Sequence, residues 1–273
     1  MSSYTTLQLT LHGAVAHVAL NRPDKANSLN EAMWQELQQA MEWCDAEPGV
    51  RAVVLSGNGK HFCAGIDLSM LMNMQKAIEE DCEARKRDKL RRIILGLQAN
   101  VNSLELCRKP VIAAIHGACV GGALDIVLAA DIRLAAENAL FSVREVDVGM
   151  VADVGTLQRL GRVVGEGNAR EMALTARDVK AAEAERMHLV NRVLPDADAV
   201  LTEALALAAA IAAKSPLAVQ GTKEVLNYSR DHSVADGLQH VANWNAAMLM
   251  SEDIQLAVMA AVTGEKPQYR DRE

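Results

Sequence analysis

Apolar and polar positions alternate at the start of the chain, in Leu7-Gln8-Leu9-Thr10-Leu11 and again in part from Val15 to Leu20. With His12-Gly13-Ala14 between them, the two runs predict a β-hairpin. The period then changes. Ala32, Met33, Leu37, Ala40 and Met41 fall at helical spacing behind Asn30, a residue suited to an N-cap. Residues 51–56 read as a buried strand closed by Gly57-Asn58-Gly59, and residues 111–115, five small or branched apolar side chains behind Pro110, read as another. Residues 132–135 and 139–143 are shorter strand candidates, and residues 123–130 follow a helical pattern. Strands separated by helices predict an α/β core with a crossover sheet.

From Asp198 the pattern is Ala-, Leu- and Met-rich and helical to about Thr263, with breaks at Pro216 and around residues 231–233. Many small and flexible side chains suit close packing of this tail on a neighbour. The chain is therefore divided into a core, residues 1–195, and a helical C-terminal region, residues 196–273. Six basic residues (Arg85, Lys86, Arg87, Lys89, Arg91 and Arg92) cluster within ten positions, but Glu79, Glu80, Asp81, Glu83 and Asp88 lie among or beside them. Such mixing predicts a solvated helix face rather than a phosphate site.

Composition narrows the class. Half of the residues are hydrophobic and 23% are charged, enough for a sizeable core, which excludes a disordered or collagen-like chain. The net charge of −7 provides no overall field to attract nucleic acid or anionic lipid. The most apolar stretch, residues 199–213, is too short to span a bilayer. Five widely spaced cysteines with no CxxC pair suit a reducing compartment. The start lacks a signal-peptide pattern, and Asp271-Arg272-Glu273 is not a peroxisomal tripeptide. The expectation is a soluble, cytoplasmic protein that binds neither nucleic acid nor membrane.

Most catalytic motifs are absent: no Walker loop, no HExxH, no GxSxG, and no histidines at metal-ligand spacing near a cysteine. His116 reads as a satisfied structural histidine. Two glycine-bearing turns are more informative, Cys63-Ala64-Gly65-Ile66-Asp67-Leu68 and His116-Gly117-Ala118-Cys119-Val120-Gly121-Gly122. The second runs into a helical pattern, so its backbone N–H groups are free for a ligand. Two such turns face to face would form an oxyanion hole, the alternative being close backbone packing. Carboxylates in apolar surroundings are the second clue. Asp125 interrupts Ala123-Leu124-Asp125-Ile126-Val127-Leu128, Glu145 and Asp147 follow a strand candidate, and Asp153 precedes the helical run of Leu157, Leu160 and Val163. An N-cap is the simplest role for Asp153. Asp131 is expected to pair with Arg133, and Arg144 to neutralise Glu145 or Asp147. Burial raises a carboxyl pKa and close acids push each other apart, which suits proton transfer α to a carbonyl.

Over nearly its whole length the chain resembles the crotonase, or enoyl-CoA hydratase/isomerase, superfamily. Leu20-Asn21-Arg22-Pro23, Phe62-Cys63-Ala64-Gly65-Ile66-Asp67-Leu68 and Lys109-Pro110-Val111-Ile112-Ala113-Ala114-Ile115-His116-Gly117 carry the resemblance. It implies a spiral of ββα repeats, a C-terminal region that makes trimer contacts, and a homotrimer or homohexamer. It also implies an acyl-CoA thioester whose enolate is held by the amides of Ile66 and Gly122. Ala64, Gly65, Ile66, Asp67 and Leu68 would line the CoA and thioester site, with no cofactor or metal. Family hydratases carry glutamates at the positions of both Asp125 and Glu145. Asp125, Glu145 and Asp153, at separations of 20 and 8 residues, are instead similar to the Δ3,5-Δ2,4-dienoyl-CoA isomerases. That branch implies that Asp153 takes a proton from C2, Glu145 returns one at C6, and Asp125 orients Glu145, with Asp147 in support. The alternatives are a 2-enoyl-CoA hydratase and a non-catalytic acyl-CoA-binding member.

Overall fold

A computed structural model of the chain describes residues 4–272. The strands β1 (Leu7–His12) and β2 (Val15–Leu20) form the antiparallel hairpin, Leu7 opposite Leu20 and His12 opposite Val15. Helix α1 (Glu31–Ala46) starts where the Asn30 side chain accepts the Met33 N–H at 3.0 Å, and it buries Met33, Leu37, Ala40 and Met41. There follow β3 (Ala52–Gly57), α2 (Leu68–Ala77), α3 (Glu83–Leu106), β4 (Val111–Ile115), β5 (Ala118–Val120) and α4 (Gly122–Leu128). Next come β6 (Ile132–Ala136), β7 (Leu140–Ser142), α5 (Thr156–Val164), α6 (Glu166–Thr175), β8 (Val179–Lys180), α7 (Ala181–Arg186) and β9 (Arg192–Leu194). The tail consists of α8 (Ala197–Ala212), α9 (Pro216–Asp231), α10 (Val234–Met248) and α11 (Glu252–Thr263). Two of its breaks fall where expected, and a third, at residues 249–251 between α10 and α11, is not marked by the sequence pattern. Ser215 caps α9 ahead of Pro216, and Ser233 with Asp236 forms a capping box on α10.

One sheet runs in the order β1-β2-β3-β4-β6-β9, parallel from β2 onward, and a smaller one runs β5-β7-β8. Each turn of the chain adds a strand to the large sheet. From β4 on, a second short strand joins the smaller sheet before a helix returns, giving the spiral of ββα turns. The large sheet is covered on both faces, which explains why β3 and β4 are almost continuously apolar. On one face Val200, Ala204, Ala208 and Ala212, spaced every four residues along α8, pack on Val15, Val54, Ile112 and Leu134. Among the described residues no single helix is long and apolar enough to cross a membrane.

Two buried lysines tie helices to the core. Lys109 Nζ donates to the carbonyls of Cys44, Asp45 and Glu47 at the C-terminal end of α1, where the unpaired carbonyls favour a cation. Lys223 of α9 donates to the carbonyls of Leu104 and Lys109 and to Asp131 Oδ2 at 2.7 Å. The expected Asp131–Arg133 pair is therefore corrected: Arg133 donates instead to the carbonyls of Leu189 and Ala130. The basic cluster is a solvated helix face, with Lys86 and Arg87 beside Glu83, Arg92 on Asp88 and Lys89 on Glu80.

Gly96 sits inside α3 with open space where a Cβ would stand. Since glycine in a helix interior costs about 0.5–1 kcal/mol relative to alanine, Gly96→Ala is expected to stabilise the protein by that amount. Thermal and urea melting would show it.

Candidate active site

Cys63 and Cys119 form an isolated parallel bridge, which lays the turn of residues 63–68 beside the turn between β5 and α4. Gly65, at φ +87°, backs directly onto that second turn: a Cβ there would lie 2.7 Å from the Val120 carbonyl oxygen. Only glycine satisfies both the left-handed backbone and the close approach. The neighbouring backbone groups are used. Leu29 N–H donates to Gly65 O at 2.8 Å, Asp67 N–H to Leu29 O at 3.0 Å, and Gly121 N–H to Ser142 O at 3.0 Å. Among the described residues the N–H groups of Ile66 and Gly122 have no acceptor. The pair named from the sequence is thus free, on adjacent turns.

The rim of this site is held by side chains. Asp67 accepts the Ser69 N–H and hydroxyl at the start of α2 and pairs with Arg22 at 3.0 Å. The Ser69 hydroxyl, then Arg22, hold its carboxyl down at about 2. Its charge therefore serves to fix the turn. Ala64 and Leu68 lie exposed on the same rim. Sequence reasoning missed Asn27. Fully buried, it accepts the Arg22 N–H and donates to the carbonyls of Asn58, His61 and Phe62, locking the loop ahead of Cys63. His116 has the structural role expected, bonding the Gly59 carbonyl at 2.9 Å.

Asp125 is fully buried in α4. Its Oδ1 accepts the Thr156 N–H at 2.5 Å, and its Oδ2 has no partner among the described residues. This corrects the N-cap expectation for Asp153. Gly155 is the residue ahead of α5, it offers no side chain, and Asp125 supplies the acceptor from a distant element. Glu145 opens a 3-10 turn (Glu145–Val148), and a Cβ on Gly121 would stand 3.6 Å from its Oε1. Its Oε2 is also buried without a partner. Asp153 is half-buried in an irregular stretch that leads to α5. Arg144 does not neutralise Glu145: its guanidinium turns outward to Asp147 at 3.3 Å and Asp178 at 2.5 Å. Asp147, expected in support, is exposed on that outer side because the 3-10 turn points it away.

All three acids are pushed toward protonation. Burial lifts Asp125 to about 7; the Thr156 hydrogen bond opposes this and the Glu145 charge adds to it. Glu145 is raised by burial, opposed by its own backbone N–H, and raised further by Asp153. Asp153 is raised by burial. Asp153 thus raises Glu145 and Glu145 raises Asp125, a chain of like charges beside the two free N–H groups. Among the described residues no group of His, Cys, Asp and Glu is arranged to hold a metal ion.

The raised Asp125 pKa makes stability depend on pH. A carboxyl whose pKa is higher folded than unfolded keeps its proton in the native state while the unfolded chain has lost it, so stability falls as pH rises between the two values. The expected window is about pH 4 to pH 7, bounded by the ordinary 3.8 and the folded value of about 7. The loss is on the order of a few kcal/mol. Urea titrations across this range should show the decline in wild type and a flatter profile in Asp125→Asn.

Trp34, nearly fully buried, stands against Gly122 and lines a cavity of about 770 Å³ between α1, α2 and α3, with Met70, Met74, Ile93 and Leu97. Neither Trp34 nor Thr156 was picked out from the sequence.

Comparison with known proteins agrees with this geometry. The family profile described as enoyl-CoA hydratase/isomerase matches residues 10–272. The Arabidopsis thaliana protein named Delta(3,5)-Delta(2,4)-dienoyl-CoA isomerase, peroxisomal, is 45% identical over 273 residues, covering 98% of each chain. The Homo sapiens protein named Delta(3,5)-Delta(2,4)-dienoyl-CoA isomerase, mitochondrial, is 48% identical over 266 residues, covering 97% of this chain and 81% of its own. The crystal structure of enoyl-CoA hydratase from Bacillus anthracis superposes with a TM-score of 0.89 at 29% identity, covering 98% of this chain and 100% of that one. These relatives correct the cytoplasmic expectation, since the plant protein is named as peroxisomal and the human one as mitochondrial. Two free amides on facing turns, a buried acid cluster beside them and matches over nearly the full length lead to one conclusion: the chain belongs to the enoyl-CoA hydratase/isomerase family.

Proposed function

We propose that the protein isomerises 3,5-dienoyl-CoA to 2,4-dienoyl-CoA in fatty acid β-oxidation. The observation that carries this reading is the cluster of Asp125, Glu145 and Asp153 next to the free N–H groups of Ile66 and Gly122. The names of the similar plant and animal proteins support it. The thioester oxygen accepts from Ile66 and Gly122. Ionised Asp153 removes a proton from C2, and the electron pair spreads into a trienolate whose oxyanion is held by those two donors. Protonated Glu145 delivers a proton to C6, so the double bonds move from C3 and C5 to C2 and C4. Burial and the charge of ionised Asp153 keep Glu145 protonated, while Asp125, fixed on Thr156 N–H, orients it. Both steps are proton transfers and need no cofactor. Ala64, Gly65, Asp67 and Leu68 shape the rim against which CoA lies.

The test is absorbance. Purified protein mixed with 3,5-octadienoyl-CoA should give the conjugated 2,4-dienoyl chromophore. No such rise, with hydration of 2-octenoyl-CoA instead, would make the protein a hydratase. Binding without either reaction would make it a non-catalytic member. The reading extends to a homotrimer or homohexamer. It is supported by the apolar side chains that α9 to α11 leave in water, among them Leu226, Leu238, Met250 and Val262.

A further inference from the structure

Helix α3 carries Gln98, Asn102 and Glu105 at a spacing that sets them on one face. All three reach the segment that bears Asp153 and Thr156. Gln98 Nε2 donates to the Asp153 carbonyl oxygen at 2.6 Å. Arg159, one turn into α5, donates through Nη2 to Asn102 Oδ1 at 2.7 Å and through Nε to Glu105 Oε2 at 2.8 Å. Glu105 is held from its other side by Arg230 of α9. The segment they grip packs Ala152 and Val154 into the core, but its backbone has few bonds of its own. Residues 151–155 form neither helix nor strand, and among the described residues none of their N–H groups has a backbone acceptor. Beyond that packing, the backbone is held by the Gln98 bond in the middle of the segment and by the Arg159 anchor behind it.

We infer that Gln98 is a positioning residue for the proposed isomerisation: by holding the Asp153 peptide, it aims the Asp153 carboxyl at C2. The Asn102 and Glu105 contacts to Arg159 secure the next turn, in which Thr156 N–H meets Asp125. One polar face of α3 thus aligns two of the three acids without touching either carboxylate. The inference rests on Asp153 being the base. It also accounts for the three half-buried polar side chains on one face of this helix.

The test compares wild type with Gln98→Leu, Gln98→Glu and Asp153→Asn, measuring kcat, KM, melting temperature and deuterium exchange at C2 in deuterated buffer. Gln98→Leu keeps the bulk and removes the donor. Its kcat and its C2 exchange should fall together by roughly ten- to a hundredfold, the cost of a misplaced catalytic group, while KM and melting temperature stay close to wild type. Wild-type kcat in Gln98→Leu, with Asp153→Asn inactive, overturns the inference and leaves the site reading standing. Wild-type kcat in Asp153→Asn overturns the site reading itself, and the inference with it. Should Gln98→Leu melt well below wild type, Gln98→Glu decides. The carboxyl group introduced by Gln98→Glu can donate to the carbonyl only when protonated. The kcat of this variant relative to wild type should therefore rise as pH is lowered, and a flat ratio overturns the inference.

Discussion

Asp153→Asn and Glu145→Gln are each expected to lower kcat on 3,5-dienoyl-CoA by about 10²–10⁴-fold, the usual contribution of a positioned general acid or base. KM should change little, because neither group holds the thioester. Both substitutions keep shape and remove the ability to exchange a proton. They also relieve repulsion within the cluster, since Glu145 is raised by Asp153 and Asp125 by Glu145. Melting temperature is therefore expected to hold or rise while activity collapses. That combination separates a catalytic role from a structural one, because a structural acid would lose stability on substitution. Retention of the isomerisation rate by either variant would remove that residue from the mechanism.

Gly65→Ala should have a comparable effect for a different reason. The added Cβ would stand 2.7 Å from the Val120 carbonyl oxygen, so the turn carrying Ile66 has to move away from the turn carrying Gly122. Losing the alignment of one oxyanion donor costs about 10²–10³-fold in kcat. Gly13→Ala is the control. Gly13 also has positive φ, +60°, but its Cβ would meet nothing, and it sits in the hairpin turn of β1 and β2. That variant should cost about 1–2 kcal/mol of stability through backbone strain alone, with activity intact. Equal loss of activity in both would show that general strain, not donor geometry, sets the rate.

The hairpin, α1 with its Asn30 cap, β3, β4 and the breaks of the tail at Pro216 and residues 231–233 were legible in the sequence because local periodicity and caps decide them. The Asp125–Thr156 bond was not, since a cap supplied from a distant element leaves no local trace. Asp153 looked like an N-cap for the same reason: it precedes a helix, and only the fold shows that Gly155 and Asp125 fill that place. Arg133 and Arg144 were paired with sequence neighbours, whereas the fold offers Arg133 backbone carbonyls and Arg144 an additional aspartate, Asp178. The two free amides followed from motif resemblance. Gln98 had no signal at all, because one more polar residue on a heavily charged helix looks like any other solvated position.

The division of labour between the two proton-transferring acids is tested most directly by C2 deuterium exchange in Glu145→Gln, followed by mass spectrometry in deuterated buffer. With Asp153 as base and Glu145 as the acid at C6, this variant still exchanges the C2 hydrogens of 3,5-octadienoyl-CoA while forming almost no 2,4-diene. Formation of the diene at the wild-type rate, or loss of C2 exchange together with the diene, would contradict that assignment.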